Sequence, residues 1–302
     1  MPFLAVQSVW AKPELGPDNQ AIDTYISMNP SHINPMVYLK QTLLAFLSLV
    51  AINAKAQLLD TISKASPYKL HLRILQGRNP PILFESGGGQ DASQWDSIAT
   101  IVHQQLQATV ITYDRAGFGQ SSFDTVNYTI LQEIKSLEAA LQQFGFDNTN
   151  MLLVGQSLGA FYNRVYAARH PAQVKGMILL DPRIPSYADM RLAKAYFQRL
   201  HRKDYEANYL SFYHLLARME RTSNYVRQVP LPSSIPLLDI MAEHGPFAEA
   251  RENERFKADQ RNLVKGHRNR RLLFAKGSSH NIPHDKPALV IEQIVHFYKK
   301  YL

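Results

Sequence analysis

The feature that most constrains the fold is the alternation of short apolar runs with helical stretches along residues 57–302. Strands buried on both faces read as continuous apolar runs, and parallel strands need helical connections. The sequence therefore predicts an α/β fold with a mostly parallel sheet flanked by helices. The predicted strands span residues 68–75, 82–85, 109–113, 151–154, 175–180, 236–241 and 271–275. The predicted helices lie near residues 94–105, 129–144, 158–169 and 287–298.

The interval 182–234 interrupts this alternation because it contains no convincing strand. Its Tyr, Leu, Arg and Lys residues recur at helical spacing, so we expect a helical insertion between two strands. The interval holds nine basic and four acidic residues, a net charge of +5 against +8 for the chain. Such an excess is typical of solvated helix faces, and it could also form a basic rim that attracts acidic substrates or membrane headgroups.

The composition excludes several kinds of chemistry. The chain has no Cys among its 302 residues, which excludes disulfide bonds, thiolate metal sites and a cysteine nucleophile. Any nucleophile must therefore be Ser, Thr, Asp or Lys. A content of 45% hydrophobic and 19% charged residues excludes a disordered or fibrous chain. The basic residues are scattered and no nucleic-acid-binding motif is present, so we expect no nucleic-acid partner.

Residues 36–56 have the layout of a secretory signal peptide, with a basic start at Lys40, an uncharged run over residues 41–54 and small residues at Ala54 and Ala56. The run of 14 residues is shorter than the roughly 20 that span a bilayer as a helix, so we expect no permanent membrane anchor. It also lacks the polar face of an amphipathic helix in a folded domain.

These features predict cleavage after Ala56 and a secreted or periplasmic domain over residues 57–302. Signal peptides begin at the N-terminus, so residues 1–35 are interpreted as a leader or an over-extended start.

Seven of the 14 glycines fall in three short segments, each at the end of a predicted strand. In the first segment, an apolar strand runs into Gly155-Gln156-Ser157-Leu158-Gly159 and then into a helical pattern. A Ser on such a sharp turn has a strained backbone, and the flanking glycines let helix and strand approach without Cβ clashes. The turn lifts the Ser157 hydroxyl clear of the sheet and directs the first N–H groups of the helix toward charge that develops beside it.

The other two glycine segments follow earlier strands. Residues 82–90 end in Gly87-Gly88-Gly89, where a backbone N–H can come close to a substrate oxygen. The N–H groups of Gly88 and Leu158 are the candidates for an oxyanion hole. The third segment, residues 113–121, is interpreted as a structural turn fixed by Asp114 and Arg115.

Together, the three segments resemble the α/β-hydrolase family, from about Tyr68 to the C-terminus. In that family, Gly-x-Ser-x-Gly carries the nucleophile, and the catalytic residues follow in the order Ser, acid, His. The resemblance implies an α/β-hydrolase fold with a helical cap insertion at about residues 182–234, and a reaction that needs no metal or organic cofactor. Ser157 is then the expected nucleophile.

The resemblance also extends to the expected general base. Residues 271–283 contain a strand, a small-residue loop and His280 before the last helix, similar to the family's terminal loop. The neutral imidazole of His280 would take the Ser157 proton and later pass it to the leaving group. His284, four residues further on, is the rival candidate.

Two positions compete for the acid. Family members most often place it after the later strand, which favours Glu243, but that segment lacks the usual Gly-x-x-Asp loop. Asp181 ends the strand at residues 175–180, at the edge where Ser157 also emerges, and Leu-Asp-Pro resembles the arrangement in pancreatic-type lipases. The same tripeptide also occurs in relatives where it only ends the strand. We predict Asp181 as the acid, with Glu243 as the alternative.

These residues imply a secreted serine hydrolase that cleaves a carboxylic ester of a small acyl substrate through an acyl-enzyme intermediate. The same triad could act on an amide or peptide, a thioester or a lactone, because the fold does not choose among them. A non-catalytic ligand-binding protein with a hydrolase-like fold is the alternative of another class. Relatives with an Asp nucleophile, such as epoxide hydrolases and dehalogenases, are disfavoured by Ser157.

Overall fold

The computed structural model describes residues 58–125, 128–206 and 209–302. Its strands are β1 (Leu58–Ile62), β2 (His71–Leu75), β3 (Asn79–Glu85), β4 (Ala108–Tyr113), β5 (Met151–Gln156), β6 (Val174–Leu180), β7 (Leu237–Ala242) and β8 (Arg270–Ala275). Within the described residues they form one eight-stranded sheet in the order β1-β2-β4-β3-β5-β6-β7-β8. The strands from β3 to β8 are parallel, whereas β1 pairs antiparallel with β2, and β2 with β4.

The α-helices of the described residues connect the strands and cover the sheet. They are α1 (Asp96–Leu106), α2 (Ile130–Gln143), α3 (Gly159–Arg169), α4 (Tyr187–Phe197), α5 (Leu210–Ala217), α6 (Met219–Gln228), α7 (Ala250–Val264), α8 (Ile282–Asp285) and α9 (Pro287–Tyr301). None of the helices in these ranges is long and apolar enough to cross a membrane.

The sheet separates two hydrophobic cores, because neighbouring residues of a strand point to opposite faces. Leu153 of β5 packs in the core that contains buried side chains of α2 and α3. Leu152 and Val154 pack on the other face, with buried side chains of α1 and α9. Burial on both faces explains why the central strands read as continuous apolar runs.

The predicted fold class is confirmed, and the seven predicted strands correspond to β2 through β8. The four predicted helices correspond to α1, α2, α3 and α9, while β1, α7 and α8 were not predicted. The described part of residues 182–234 contains α4, α5, α6 and a short 3-10 turn at Arg202–Asp204, with no strand. The expected signal peptide at residues 36–56 lies outside the described residues.

Candidate active site

Ser157 occupies the sharp turn between β5 and α3, with a left-handed φ of +51°. A non-glycine residue in this region carries backbone strain that its surroundings must offset. The Ser157 N–H donates to the Leu180 carbonyl at 3.0 Å, and the Ser157 carbonyl accepts from the Arg183 N–H at 3.0 Å. Both partners flank the end of β6, so the neighbouring strand holds the strained turn in place.

The two flanking glycines are required by close approach. A Cβ on Gly159 would lie 2.6 Å from the carbonyl oxygen of Glu85, and one on Gly155 would lie 2.4 Å from the Asn163 side chain. Both distances are shorter than real Cβ contacts, so neither position tolerates a side chain without displacement. The missing side chains let the first turn of α3 lie against the end of β3, as the sequence predicted.

The structure brings together Ser157, His280 and Asp181. The His280 Nε2 atom is 2.8 Å from the Ser157 Oγ, and the Nδ1 atom is 2.6 Å from Asp181 Oδ2. Because an ionised carboxylate only accepts hydrogen bonds, Nδ1 carries the hydrogen and Nε2 is the acceptor for the Ser157 hydroxyl. The His280 side chain is 25% exposed, while the Asp181 side chain is buried.

Asp181 is held from two further directions. Its Oδ1 atom accepts hydrogen bonds from the Ala242 N–H at 3.1 Å and from Gln260 Nε2 at 2.8 Å. Its backbone also has a left-handed φ, of +42°. The carboxylate therefore has a fixed orientation in which Oδ2 faces His280.

The rival residues lie elsewhere. The Glu243 carboxylate accepts the Gly277 N–H at 2.5 Å, and the Glu243 carbonyl accepts from Lys257 at 2.7 Å. The His284 side chain is 82% exposed and faces Asp285 rather than Ser157. The structure therefore pairs His280 with Asp181 and does not place Glu243 or His284 in that chain of hydrogen bonds.

The two candidate oxyanion amides are neighbours. A Cβ on Gly88 would lie 3.6 Å from the Cβ of Leu158. Neither the Gly88 nor the Leu158 N–H donates to a protein acceptor among the described residues. Leu158 directly precedes α3, where the helix dipole favours negative charge. Both amides can therefore donate to an oxygen bound beside Ser157.

Several supporting residues were missed by the sequence analysis. Gln156 Nε2 donates to the His280 carbonyl at 3.0 Å and so anchors the histidine loop. The ring of Phe256 meets the His280 ring edge-on, with centroids 5.8 Å apart. Phe256 and Gln260 are four residues apart on α7 and so share a helix face, but one apolar and one polar residue at this spacing do not mark a buried face in the sequence.

Asp239 is a second buried carboxyl near this site, on β7, paired in register with Leu179 of β6. Neither of its carboxyl oxygens has a hydrogen-bond partner among the described residues. Burial, together with the negative charge of Asp181, raises the pKa of Asp239 well above its usual value. Burial therefore disfavours ionisation of Asp239, which lies beside an acid that is held by three hydrogen bonds.

The third glycine segment is a turn held by Asp114, as interpreted from the sequence. The Asp114 carboxylate accepts the Ala92 and Gln120 N–H groups, each at 2.8 Å, and lies 2.8 Å from His71 Nδ1. A Cβ on Gly119 would collide with this carboxylate, and Gly119 also has a positive φ of 51°. Among the described residues, no group of three or more His, Asp or Glu side chains could hold a metal ion.

A family model described as the alpha/beta hydrolase fold matches residues 80–223. The protein YqjL of Bacillus subtilis is 27% identical over 217 residues, which cover 69% of this chain and 79% of that protein. The hydrolase YraK of Bacillus subtilis is 32% identical over 113 residues, which cover 37% of this chain and 41% of YraK.

The fold is also similar to that of solved structures. The enol-lactonase from Burkholderia xenovorans LB400 superposes with a TM-score of 0.55 at 19% identity, over 79% of this chain and all of that chain. The strand order, the strained turn at Ser157 and the matching family model point to the same conclusion. The chain has the α/β-hydrolase fold.

Proposed function

We propose that this protein is a serine hydrolase that cleaves a carboxylic ester of a small acyl substrate through an acyl-enzyme intermediate. The observation that carries the proposal is the unbroken chain of hydrogen bonds from Asp181 through His280 to Ser157, with distances of 2.6 and 2.8 Å. A nucleophile bonded to a base, and a base oriented by a buried acid, are the arrangement that nucleophilic acyl transfer requires.

In the first half-reaction, the Ser157 oxygen forms a bond to the ester carbonyl carbon while His280 Nε2 takes the hydroxyl proton. The N–H groups of Gly88 and Leu158 stabilise the resulting oxyanion. The carbon–oxygen bond to the alcohol then breaks, and the imidazolium returns its proton to the leaving oxygen. Water repeats these steps to release the acid, and Asp181 remains ionised beside the imidazolium throughout.

We also propose that the helices of residues 182–234 form a cap that selects the substrate. The Phe212 ring of α5 lies 3.1 Å from the position of a Cβ on Gly89, and Leu215 lies 3.9 Å from that of a Cβ on Gly88. The cap side chains therefore cover the loop that carries one candidate oxyanion amide. The shape of this contact would limit the acyl group that reaches Ser157.

The experiment is a hydrolysis screen of the purified protein against nitrophenyl esters, aminoacyl amides and thioesters. We expect the esters to be hydrolysed and the activity to fall by about 10³-fold or more in Ser157→Ala. Ser234→Ala, an exposed serine, is the matched control and should keep wild-type activity. Near-normal turnover in Ser157→Ala would overturn the mechanism, and a preference for amides or thioesters would select the alternative acyl substrates.

We further propose that the protein is exported and that its mature form begins at Gln57. The support is the basic start, apolar run and Ala-x-Ala ending of residues 36–56. N-terminal sequencing of protein recovered from outside the cytoplasm should read Gln57 first. A mature protein that begins at Met1 or Met36 would contradict this proposal.

A further inference from the structure

The guanidinium of Arg115 lies under the glycine loop that carries Gly88. The Arg115 residue is 2% exposed. Its Nη1 donates to the Ser86 carbonyl at 2.5 Å, and its Nη2 donates to the Gly87 carbonyl. A buried arginine therefore uses both arms of its fork on two consecutive carbonyls of one loop.

The second of these bonds determines where the Gly88 N–H points. The Gly87 carbonyl and the Gly88 N–H belong to one planar trans peptide unit, so they point in opposite directions. When Arg115 fixes the carbonyl on its own side, the N–H must face away from Arg115. The preceding peptide is fixed as well, because the Gly87 N–H donates to Gln94 at 2.8 Å. Neighbouring hydrogen bonds also polarise a peptide group, which makes its N–H a stronger donor.

Buried carboxyl groups with raised pKa values lie near the guanidinium of Arg115. Glu85 lies 3.9 Å from Nη1, but burial raises the pKa of Glu85 to about 8. Burial also raises the pKa of Glu133 to about 7. The guanidinium otherwise lies over the ring of Tyr162, 4.9 Å from its centroid. The loop with Gly88 therefore rests on a buried cation, where negative charge is favoured.

We propose that Arg115 is a positioning residue of the oxyanion site, which holds the Gly87–Gly88 peptide with the Gly88 N–H directed at the substrate oxygen. This role rests on the proposed function of Ser157. It differs from the role expected from the sequence, in which Arg115 only stabilises a turn. Arg115 never touches the substrate, and it acts through the peptide that does.

The kinetic test compares Arg115→Gln and Arg115→Lys with Arg164→Gln in the full chain. Arg164 is the matched control, because it is a partly buried arginine that donates to the Val229 carbonyl at 2.8 Å. We expect Arg115→Gln to lower kcat for a nitrophenyl ester by about 10-fold or more and to change KM by less than about threefold, since removing an oxyanion donor acts on kcat. Arg115→Lys keeps the positive charge but loses the two-armed guanidinium, so its kcat should lie between those of wild type and Arg115→Gln.

A trifluoromethyl ketone separates positioning from a general loss of structure. Ser157 adds to its carbonyl carbon, the proton passes to His280, and an oxyanion forms in the same place as in the reaction. Its affinity should fall in Arg115→Gln by the same factor as kcat, whereas a non-hydrolysable ether analogue of the ester should bind unchanged. An unchanged ketone affinity, or equal losses in Arg115→Gln and Arg164→Gln, would overturn the proposal.

A spectroscopic readout stands apart from activity. The only Gly-Gly pairs in the chain are Gly87-Gly88 and Gly88-Gly89, so glycine labelled with ¹³C at the carbonyl and ¹⁵N at the amide selects two amides in an HNCO spectrum. Arg115→Gln should shift the Gly88 amide and speed its hydrogen exchange, and Arg164→Gln should not. An unaltered Gly88 amide in Arg115→Gln would refute the positioning role, whether or not the protein hydrolyses esters. A failure to hydrolyse any ester would instead refute the proposed function and leave this spectroscopic test intact.

Discussion

At the scale of single residues, the site depends on two strained positions that end neighbouring parallel strands. Ser157 and Asp181 have φ values of +51° and +42°, and each turn carries its side chain off the end of a strand. Such conformations cost about 1–3 kcal/mol each. Each is tied to the next strand, because the Ser157 N–H donates to Leu180 at 3.0 Å and the Asp181 N–H donates to Ile240 at 2.7 Å. The sheet therefore stabilises the conformations that the chemistry needs.

The identity of the acid leads to the first prediction. Asp181→Asn should lower kcat by about 10⁴-fold, because an Asn side chain no longer favours the His280 tautomer with hydrogen on Nδ1. Glu243→Gln should lower it by less than about tenfold, because Glu243 bonds the Gly277 N–H and not His280. Steady-state kinetics on the same ester, with circular dichroism to check folding, measure both. Full activity in Asp181→Asn with collapse in Glu243→Gln would reverse the assignment.

Sequence alone could find Ser157 and His280, because glycine spacing and loop position mark both. It could favour Asp181 only from its place at the strand edge, since the competing Glu243 also follows a strand. It could not find Gln260, whose amide reaches Asp181 from 79 residues away. Contacts of that kind depend on how α7 packs, which no local pattern encodes.

At the scale of elements, α7 shows why one part of the fold escaped prediction. Among its 15 residues, only Phe256 and Gln260 are buried. A helix with so few buried positions has no apolar stripe, which is the signal that reveals amphipathic helices. The central strands are buried on both faces and so were visible as apolar runs. The edge strand β1 was not visible in this way, because most of its residues are exposed.

The junction of α3 with β3 gives the second prediction. Gly159→Ala should lower kcat by about 10-fold or more, because its Cβ would lie 2.6 Å from the Glu85 carbonyl and push α3 away from the oxyanion loop. Gly145→Ala is the control, because no atom lies within 4 Å of its Cβ and only its φ of +79° is strained. Gly145→Ala should cost about 1 kcal/mol of stability and keep wild-type kcat. Similar kinetics in the two variants would contradict this account of the junction.

At the scale of the whole molecule, the two cores enclose carboxyl groups that are costly to ionise. Burial raises the pKa of Glu85 to about 8 and that of Glu133 to about 7, and Asp239 lies well above its usual pKa. The folded protein therefore holds protons that the unfolded chain releases above about pH 4. The contribution of these carboxyl groups to the free energy of unfolding is therefore most favourable at low pH. It falls as the pH rises toward their folded-state pKa values.

Asp239 gives the third prediction. Each pH unit above about 4 costs up to about 1.4 kcal/mol of folding free energy at this residue, until the folded pKa is reached. Asp239→Asn cannot ionise at this position, so its free energy of unfolding relative to wild type should rise as the pH increases above about 4. Urea unfolding at several pH values measures the difference, with the exposed Asp204→Asn as control. A difference that does not change with pH would mean that Asp239 is ionised in the folded protein.

The most direct test of the central claim is the site and rate of labelling by a fluorophosphonate probe, followed by peptide mass spectrometry. We expect one label, on the Ser157 oxygen, because among the described residues that hydroxyl is the one hydrogen-bonded to the imidazole of His280. Labelling should be absent in Ser157→Ala and at least about 10³-fold slower in His280→Ala. A label on a different serine, or undiminished labelling in Ser157→Ala, would contradict the account.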